Sequence, residues 1–97
     1  MIVRFIPRAI QDLTDIADYI RSQNPSASQR VRTAILDGIE IISRYPNAGR
    51  RQSLENVRKL VIRRYPYLIY YMVDAEADEL VVISIRHAAR EREYSDA

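Results

Sequence analysis

Four side chains near the C-terminus are of the types that cleave RNA without a metal ion. They are Arg86, the single histidine His87, Arg90 and Tyr94, all within the stretch "IRHAAREREY". Cleavage by a 2′-hydroxyl needs a base for that hydroxyl, cations for the charge that develops on the phosphorane, and an acid for the leaving group. The same residue types also fit the charged end of a strand that runs into a polar tail.

Other catalytic and metal-binding classes lack the residues that they require. The chain has no cysteine, which excludes a thiol nucleophile, a disulfide framework and a thiolate metal site. It has one histidine and no carboxylate cluster at metal-ligand spacing, so we expect neither a metal ion nor a cofactor. With only Gly38 and Gly49, it also has no glycine-rich phosphate loop.

A basic segment at residues 44–64 is the second feature that could bind a ligand. It contains seven basic residues and one acidic residue, whereas residues 1–43 contain five of each. Nearly all the cations are arginines, whose planar guanidinium favours bidentate binding of phosphate or carboxylate. We therefore expect a surface for an anionic partner. Its contact candidates, together with those of the C-terminal stretch, are Arg50, Arg51, Arg58, Arg63, Arg64, Arg86 and Arg90.

Size and composition indicate one globular domain that covers residues 1–97. The chain is 47% hydrophobic and 29% charged, which is typical of a folded, soluble protein. No apolar run approaches the roughly 18 residues of a membrane span, and the N-terminus lacks the apolar core of a signal peptide. We expect a cytoplasmic protein that has no contact with a membrane.

The N-terminal half predicts a strand followed by an antiparallel pair of helices. "IVRFI" has the length of an edge strand and is closed by Pro7, and "RAIQDLTDIADYIRSQN" carries apolar residues at helical spacing. Asn24 is expected to cap a second helix, with Pro25 in its first turn and its end near Ser43.

Two features of these helices carry specific expectations. Asp12, Asp15 and Asp18 lie largely opposite the apolar stripe of the first helix, which predicts that they face solvent. Gly38 costs about 1 kcal/mol relative to alanine in a helix interior. We therefore expect it to mark a close approach between the two helices.

In the C-terminal half the apolar period changes from 3.6 to 2. After the loop "RYPNAGRRQSLEN", three stretches read as antiparallel strands: "VRKLVIRR", "YLIYYMV" and "LVVISIR", the last as a central strand. Alternation places Tyr67 and Ile69 on one face and Leu68 and Tyr70 on the other. We expect at least one of the tyrosines of this region to lie in the core with a hydrogen-bonded hydroxyl rather than to stack on bases; they are Tyr65, Tyr67, Tyr70 and Tyr71. The fold class is α+β, a helical hairpin on an antiparallel sheet in the order β-α-α-β-β-β, with a short C-terminal tail or helix.

Several motifs, in the same order and at matching spacing, resemble the RelE/ParE superfamily of toxins from type II toxin–antitoxin systems. They are "DLTDIADYIRSQNPSAS", "RYPNAGR", "VRKLVIRRYPYLIYYMV" and "VVISIRHAAR", which together span nearly the whole chain. The resemblance implies the same β-α-α-β-β-β order. It also implies a cognate, ParD-like antitoxin that wraps the toxin in a hetero-oligomer and supplies any sequence-specific DNA binding, so we expect none from this chain.

The superfamily divides by mechanism, and "YPYLIYYMV" and "IRHAAR" are closer to its ParE-like branch. RelE-like members cleave mRNA on the ribosome, whereas ParE-like members inhibit DNA gyrase without chemistry of their own. Laid on the nuclease pattern, Ala88 and Tyr67 occupy two of the cationic positions, and Arg58 and Lys59 point to opposite faces of one strand.

Our leading hypothesis is therefore a gyrase-binding toxin with no catalytic residues. The alternative is a metal-independent endoribonuclease that uses Arg86, His87, Arg90 and Tyr94. A third hypothesis is an inactive toxin that serves only as an antitoxin partner or co-repressor.

Overall fold

The computed structural model of the chain describes residues 1–89. Its elements are β1 (Ile2–Phe5), α1 (Pro7–Gln23), α2 (Pro25–Arg44), a 3-10 turn (Pro46–Ala48), β2 (Arg50–Arg51), β3 (Val57–Val61), β4 (Tyr67–Asp74) and β5 (Glu79–His87). The α+β order expected from the sequence is confirmed. The two-residue strand β2 is an addition, and it lies in the segment expected to be a loop.

The strands form a single sheet in the order β1-β5-β4-β3-β2. Strands β2 to β5 pair antiparallel, as expected, and β1 is an edge strand. However, β1 pairs parallel with β5. The helical hairpin, rather than a short turn, leads away from β1, so the connection does not force an antiparallel pair.

Both helices pack on one face of the sheet, where they build the main core. The inward stripe of α2 contributes Ile35, Ile39 and Ile42, which meet sheet residues such as Ile69 and Val82. A smaller apolar cluster lies on the opposite, open face and is formed by Val57, Leu68 and Tyr70. The central strands β4 and β5 are thus buried on both faces, as the apolar run of β5 predicts.

The start of α2 follows the capping rule predicted from the sequence. The side-chain oxygen of Asn24 accepts a hydrogen bond from the N–H of Ala27 at 3.3 Å, and Pro25 occupies the first turn. The missing N–H of proline costs nothing at that position. The cap fixes the sharp reversal between α1 and α2.

Two expectations for the helices are wrong. A Cβ at Gly38 would lie 2.7 Å from Cδ1 of Ile62 and 3.3 Å from Cδ1 of Ile69, so the close approach is to the sheet and not to α1. Asp12 does not simply face solvent: its carboxylate accepts a hydrogen bond from the N–H of Ile85 at 3.0 Å. This N–H lies beyond the last β1 pairing, at Val82, so the helix supplies the acceptor that a neighbouring strand would otherwise provide.

No helix within residues 1–89 combines the length and the apolar character that a membrane span requires.

Candidate functional site

Strand β2 and its neighbour β3 form a basic edge of the sheet, made of Arg50, Arg51, Arg58 and Lys59. Arg50 lies opposite Lys59, and Arg51 lies opposite Arg58. Side chains opposite each other in an antiparallel pair project from the same face. Each face of the sheet therefore presents two cations at this edge, and Arg50 and Arg51 form no ion pair with any residue in the 1–89 range.

A buried tyrosine secures the loop that leads into this basic edge. The hydroxyl of Tyr71 donates a hydrogen bond to the carbonyl oxygen of Pro46 at 2.6 Å and accepts one from the N–H of Gly49 at 2.8 Å. Burial raises the pKa of Tyr71 above 10.0, while the Gly49 N–H and the charge of Arg58 oppose that rise. The hydroxyl consequently keeps its proton and remains a donor at neutral pH. This confirms the expectation of a core tyrosine with a hydrogen-bonded hydroxyl.

A groove of about 540 Å³ runs between α2 and the outer edge of β3. Its floor is mostly apolar and consists of Ala34, Gly38, Ile41, Leu60, Val61 and Ile62. Ile41 and Val61 are at least half exposed, although both side chains are large and apolar. Because β2 pairs only with Arg58 and Lys59, the described strands leave the edge of β3 uncovered from Leu60 onward.

Within residues 1–89, the charged residues that line this groove are three arginines and one acid, Asp37. Arg63 and Arg64, in the turn after β3, lie along it as contact candidates from the sequence, and Arg30 of α2 joins them. Sequence reasoning missed Arg30 because only the packing of α2 against β3 shows which side of the helix borders the groove. Arg44, by contrast, forms an ion pair with Glu40 at 3.1 Å, so part of its charge is neutralised locally.

The two described members of the C-terminal set lie at alternate positions of β5, and both border one cavity together with Asp12, Asp15 and Tyr67. Arg86 pairs with Leu68 on the open face, whereas the neighbouring His87 pairs with Tyr67 on the helical face. The His87 and Tyr67 rings meet edge to face at 5.4 Å between centroids. Nδ1 of His87 accepts a hydrogen bond from the N–H of Ala89 at 3.1 Å. The other two members of the set, Arg90 and Tyr94, lie outside the described residues.

A metal centre has no ligand set in the described part of the chain, where no three carboxylate or imidazole side chains cluster closely enough to hold an ion.

Comparison with known families gives one match along almost the whole chain. Residues 3–92 match the family described as the ParE toxin of the type II toxin–antitoxin system parDE. Toxin RelE2 of Caulobacter vibrioides is 42% identical over 84 residues, which are 86% of this chain and 90% of that protein. The family and the relative thus carry the names of the two branches of one superfamily.

Solved structures share the fold. A structure of the chromosomal ParDE system from P. aeruginosa superposes with a TM-score of 0.78 at 21% identity, covering 90% of this chain and 95% of that one. The toxin–antitoxin complex RelBE from E. coli superposes with a TM-score of 0.66 at 20% identity, covering 92% of this chain and 98% of that one. At such identities the likeness concerns the arrangement of helices and strands.

Proposed function

This chain belongs to the ParE toxin family of type II toxin–antitoxin systems, and from that premise we propose that it binds and inhibits DNA gyrase until a cognate ParD-like antitoxin neutralises it. The proposal assigns the chain no catalytic residue. It places the chain in the cytoplasm, where both gyrase and the antitoxin would be met.

The placement of Arg86 and His87 on alternate faces of β5 is the observation that supports binding over RNA cleavage. A transition state is stabilised only by groups that converge on one reacting phosphate. Arg86 lies on the open face of the sheet and His87 on the helical face. Arg58 and Lys59 diverge in the same way, since each is paired on a different face of the basic edge. This alternation supports a binding function, although Arg86 and His87 both border the cavity beside α1.

The groove between α2 and β3 is our proposed docking surface for the antitoxin. Its apolar floor would receive apolar side chains of an amphipathic segment and supply most of the affinity. The arginines on its rim and on the basic edge would pair with acidic residues and supply specificity. The uncovered edge of β3 beyond Lys59 offers, in addition, main-chain groups to an extended segment. We assign antitoxin contact to Arg50, Arg51, Arg63 and Arg64, with Arg30 added from the structure.

Purified toxin decides between the two mechanisms. We expect it to inhibit supercoiling of relaxed plasmid by gyrase and to leave mRNA intact on translating ribosomes. Cleavage of ribosome-bound mRNA without inhibition of supercoiling would establish the nuclease alternative instead. If that happens, Arg86→Ala should abolish the cleavage, because it removes a cation from the set assigned to the chemistry.

Growth of a bacterial host tests the antitoxin assignment separately. Expression of this chain alone should arrest growth, and co-expression of the reading frame adjacent to its gene should restore it. The two proteins should then co-purify as a hetero-oligomer. Unimpaired growth of cells that accumulate folded toxin would favour the inactive partner or co-repressor.

A further inference from the structure

Every polar main-chain group of Gly49 is bound to the sheet behind it. Its N–H donates to the Tyr71 hydroxyl at 2.8 Å, and its carbonyl oxygen accepts from Nη1 of Arg58 at 2.8 Å. The Tyr71 hydroxyl also donates to the carbonyl oxygen of Pro46 at 2.6 Å. We call these three hydrogen bonds the Gly49 anchor. They fix the chain at the residue that immediately precedes Arg50 and Arg51.

The anchor depends on a close approach that only glycine permits. A Cβ at position 49 would lie 2.5 Å from the Tyr71 hydroxyl oxygen and 2.6 Å from a carbon of the ring. The tyrosine ring is itself fully buried, so it has no room to withdraw. The loop and the ring are thus fitted to each other, and the hydroxyl is the only polar group that the ring contributes.

Outside the Gly49 anchor, strand β2 has its two cross-strand pairs and the Gln52 side chain, which donates to the carbonyl oxygens of Arg50 and Arg51 at 2.8 and 3.1 Å. It is two residues long, and both of its cross-strand pairs place a cation opposite a cation, Arg50 with Lys59 and Arg51 with Arg58. Like charges directly opposite each other destabilise a strand pair. The pairing of β2 therefore needs a contribution from outside the ladder, and the Gly49 anchor, in which the Arg58 guanidinium is one of the donors, is next to it.

We propose that Tyr71 is a positioning residue: through the Gly49 anchor, its hydroxyl holds Arg50 and Arg51 at the sheet edge, where they meet the acidic segment of the antitoxin. The inference rests on the antitoxin contact proposed above for these two arginines. Tyr71 itself is buried in the core, so its effect on a partner is indirect.

Hydrogen exchange measures the positioning step without any partner. In Tyr71→Phe we expect the amides of Gly49 and Gln52 to exchange about five- to tenfold faster, because the variant loses both hydrogen bonds of the hydroxyl, the one from Gly49 and the one to Pro46. The Gln52 N–H is a useful reporter because it donates to Val57 across β2 and β3 at 3.0 Å. Tyr67→Phe, in the same strand and on the same face, is the matched control and should leave both amides unchanged.

The salt dependence of amide exchange shows why Tyr71→Phe exchanges faster. If the hydroxyl holds β2 against repulsion between its cations and those of β3, salt should reduce the effect; if the variant has simply lost packing, salt should not. The Debye length falls from about 10 Å at 0.1 M to about 3 Å at 1 M salt, so high salt weakens the repulsion across the basic edge. We expect NaCl to slow the exchange of Gln52 in Tyr71→Phe back toward the wild-type rate. Fast exchange that persists at high salt, or wild-type exchange in Tyr71→Phe at low salt, would overturn the proposal.

A double-mutant cycle measures the consequence for binding to the antitoxin that restores growth. Tyr71→Phe should weaken binding about three- to tenfold in the wild-type background and not at all in the background of Arg50→Ala with Arg51→Ala. An equal loss of affinity in both backgrounds would contradict the positioning role of Tyr71 and leave the proposed function unchanged. If the two arginine substitutions alone do not change the affinity, the contact assignment is wrong, and the positioning role fails with it.

If Tyr71→Phe does not fold, a second variant, Gly49→Ala, tests the same proposal. Gly49→Ala introduces the Cβ that the anchor excludes and moves the loop off the same hydroxyl while leaving Tyr71 in place. It should show the same salt-dependent exchange and the same dependence on Arg50 and Arg51. Wild-type affinity in folded Gly49→Ala would overturn the proposal.

Discussion

At the scale of single residues, the side chain of Asp12 in α1 satisfies a main-chain N–H of β5 that has no partner strand within residues 1–89. The carboxylate of Asp12 accepts the N–H of Ile85, where β5 continues past the end of β1. Arg8 approaches the same carboxylate at 3.6 Å and leaves it about one-fifth exposed. A charged acceptor on a partly buried N–H is worth more than an exposed ion pair, because removing it leaves the donor unsatisfied.

We predict that Asp12→Ala lowers the free energy of unfolding by about 1–3 kcal/mol. Asp12→Asn should restore most of that loss, since the amide oxygen can still accept from Ile85. Asp15→Ala is the matched control one turn along, where the exposed carboxylate accepts a hydrogen bond from the Gln11 side chain, and it should change stability by less than about 0.5 kcal/mol. Urea unfolding of the four proteins checks this. Equal losses at positions 12 and 15 would show that the Ile85 bond contributes nothing.

At the scale of elements, two different sides of α2 face two different surfaces. One side packs Ile35, Ile39 and Ile42 into the core, and the flank that includes Arg30 and Ile41 borders the groove. Arg32, two positions further along, lies about 200° around the helix and borders α1 instead. Arg30 and Arg32 are thus both exposed and lie on the same helix, but they face different surfaces.

This pair gives a controlled test of the docking surface. Arg30→Glu should weaken antitoxin binding about tenfold or more, because it places a like charge against an acidic segment. Arg32→Glu makes the same change in net charge and in helix composition and should leave the affinity within about twofold of the wild-type value. Titration calorimetry with the rescuing antitoxin measures both. Equal weakening by the two variants would mean that net charge, and not the groove, governs binding.

At the scale of the whole molecule, two buried tyrosines connect stability to alkaline pH. Burial raises the pKa of both Tyr67 and Tyr71 above the ordinary 10.0, and Tyr19 adds to the rise at Tyr67. A group with a higher pKa in the folded state stabilises the fold fully below its unfolded pKa. That contribution is lost as the pH rises through the folded value.

We therefore predict that the contribution of these two hydroxyls to the free energy of unfolding stays constant up to about pH 9. It should decline as the pH rises above about 10. The decline should be shallower in Tyr71→Phe, which removes one of the two ionisable hydroxyls. Denaturant unfolding between pH 8 and 11, in wild type and variant, gives both slopes. Identical slopes would indicate that Tyr71 ionises no less easily in the folded state than in the unfolded chain.

Local patterns in the sequence determined the elements and their order. Apolar spacing predicts both helices and the three long strands, Asn24 and Pro25 predict where α2 begins, and alternation along β4 predicts buried tyrosine. These features depend on neighbours within a few residues, so one chain is sufficient to predict them. The basic segment is likewise a property of composition, and the motifs predicted the toxin family that the comparisons confirm.

Tertiary structure decided how these elements meet. It made the β1–β5 pair parallel, directed Gly38 toward the sheet rather than α1, and gave Asp12 a main-chain partner 73 residues away. It also placed Arg86 and His87 on opposite faces, brought Arg30 to the groove and joined Tyr71 to Gly49. Each of these outcomes depends on the register and packing of segments that are distant in the chain. Periodicity fixes which side of an element is apolar, but not which other element that side will contact.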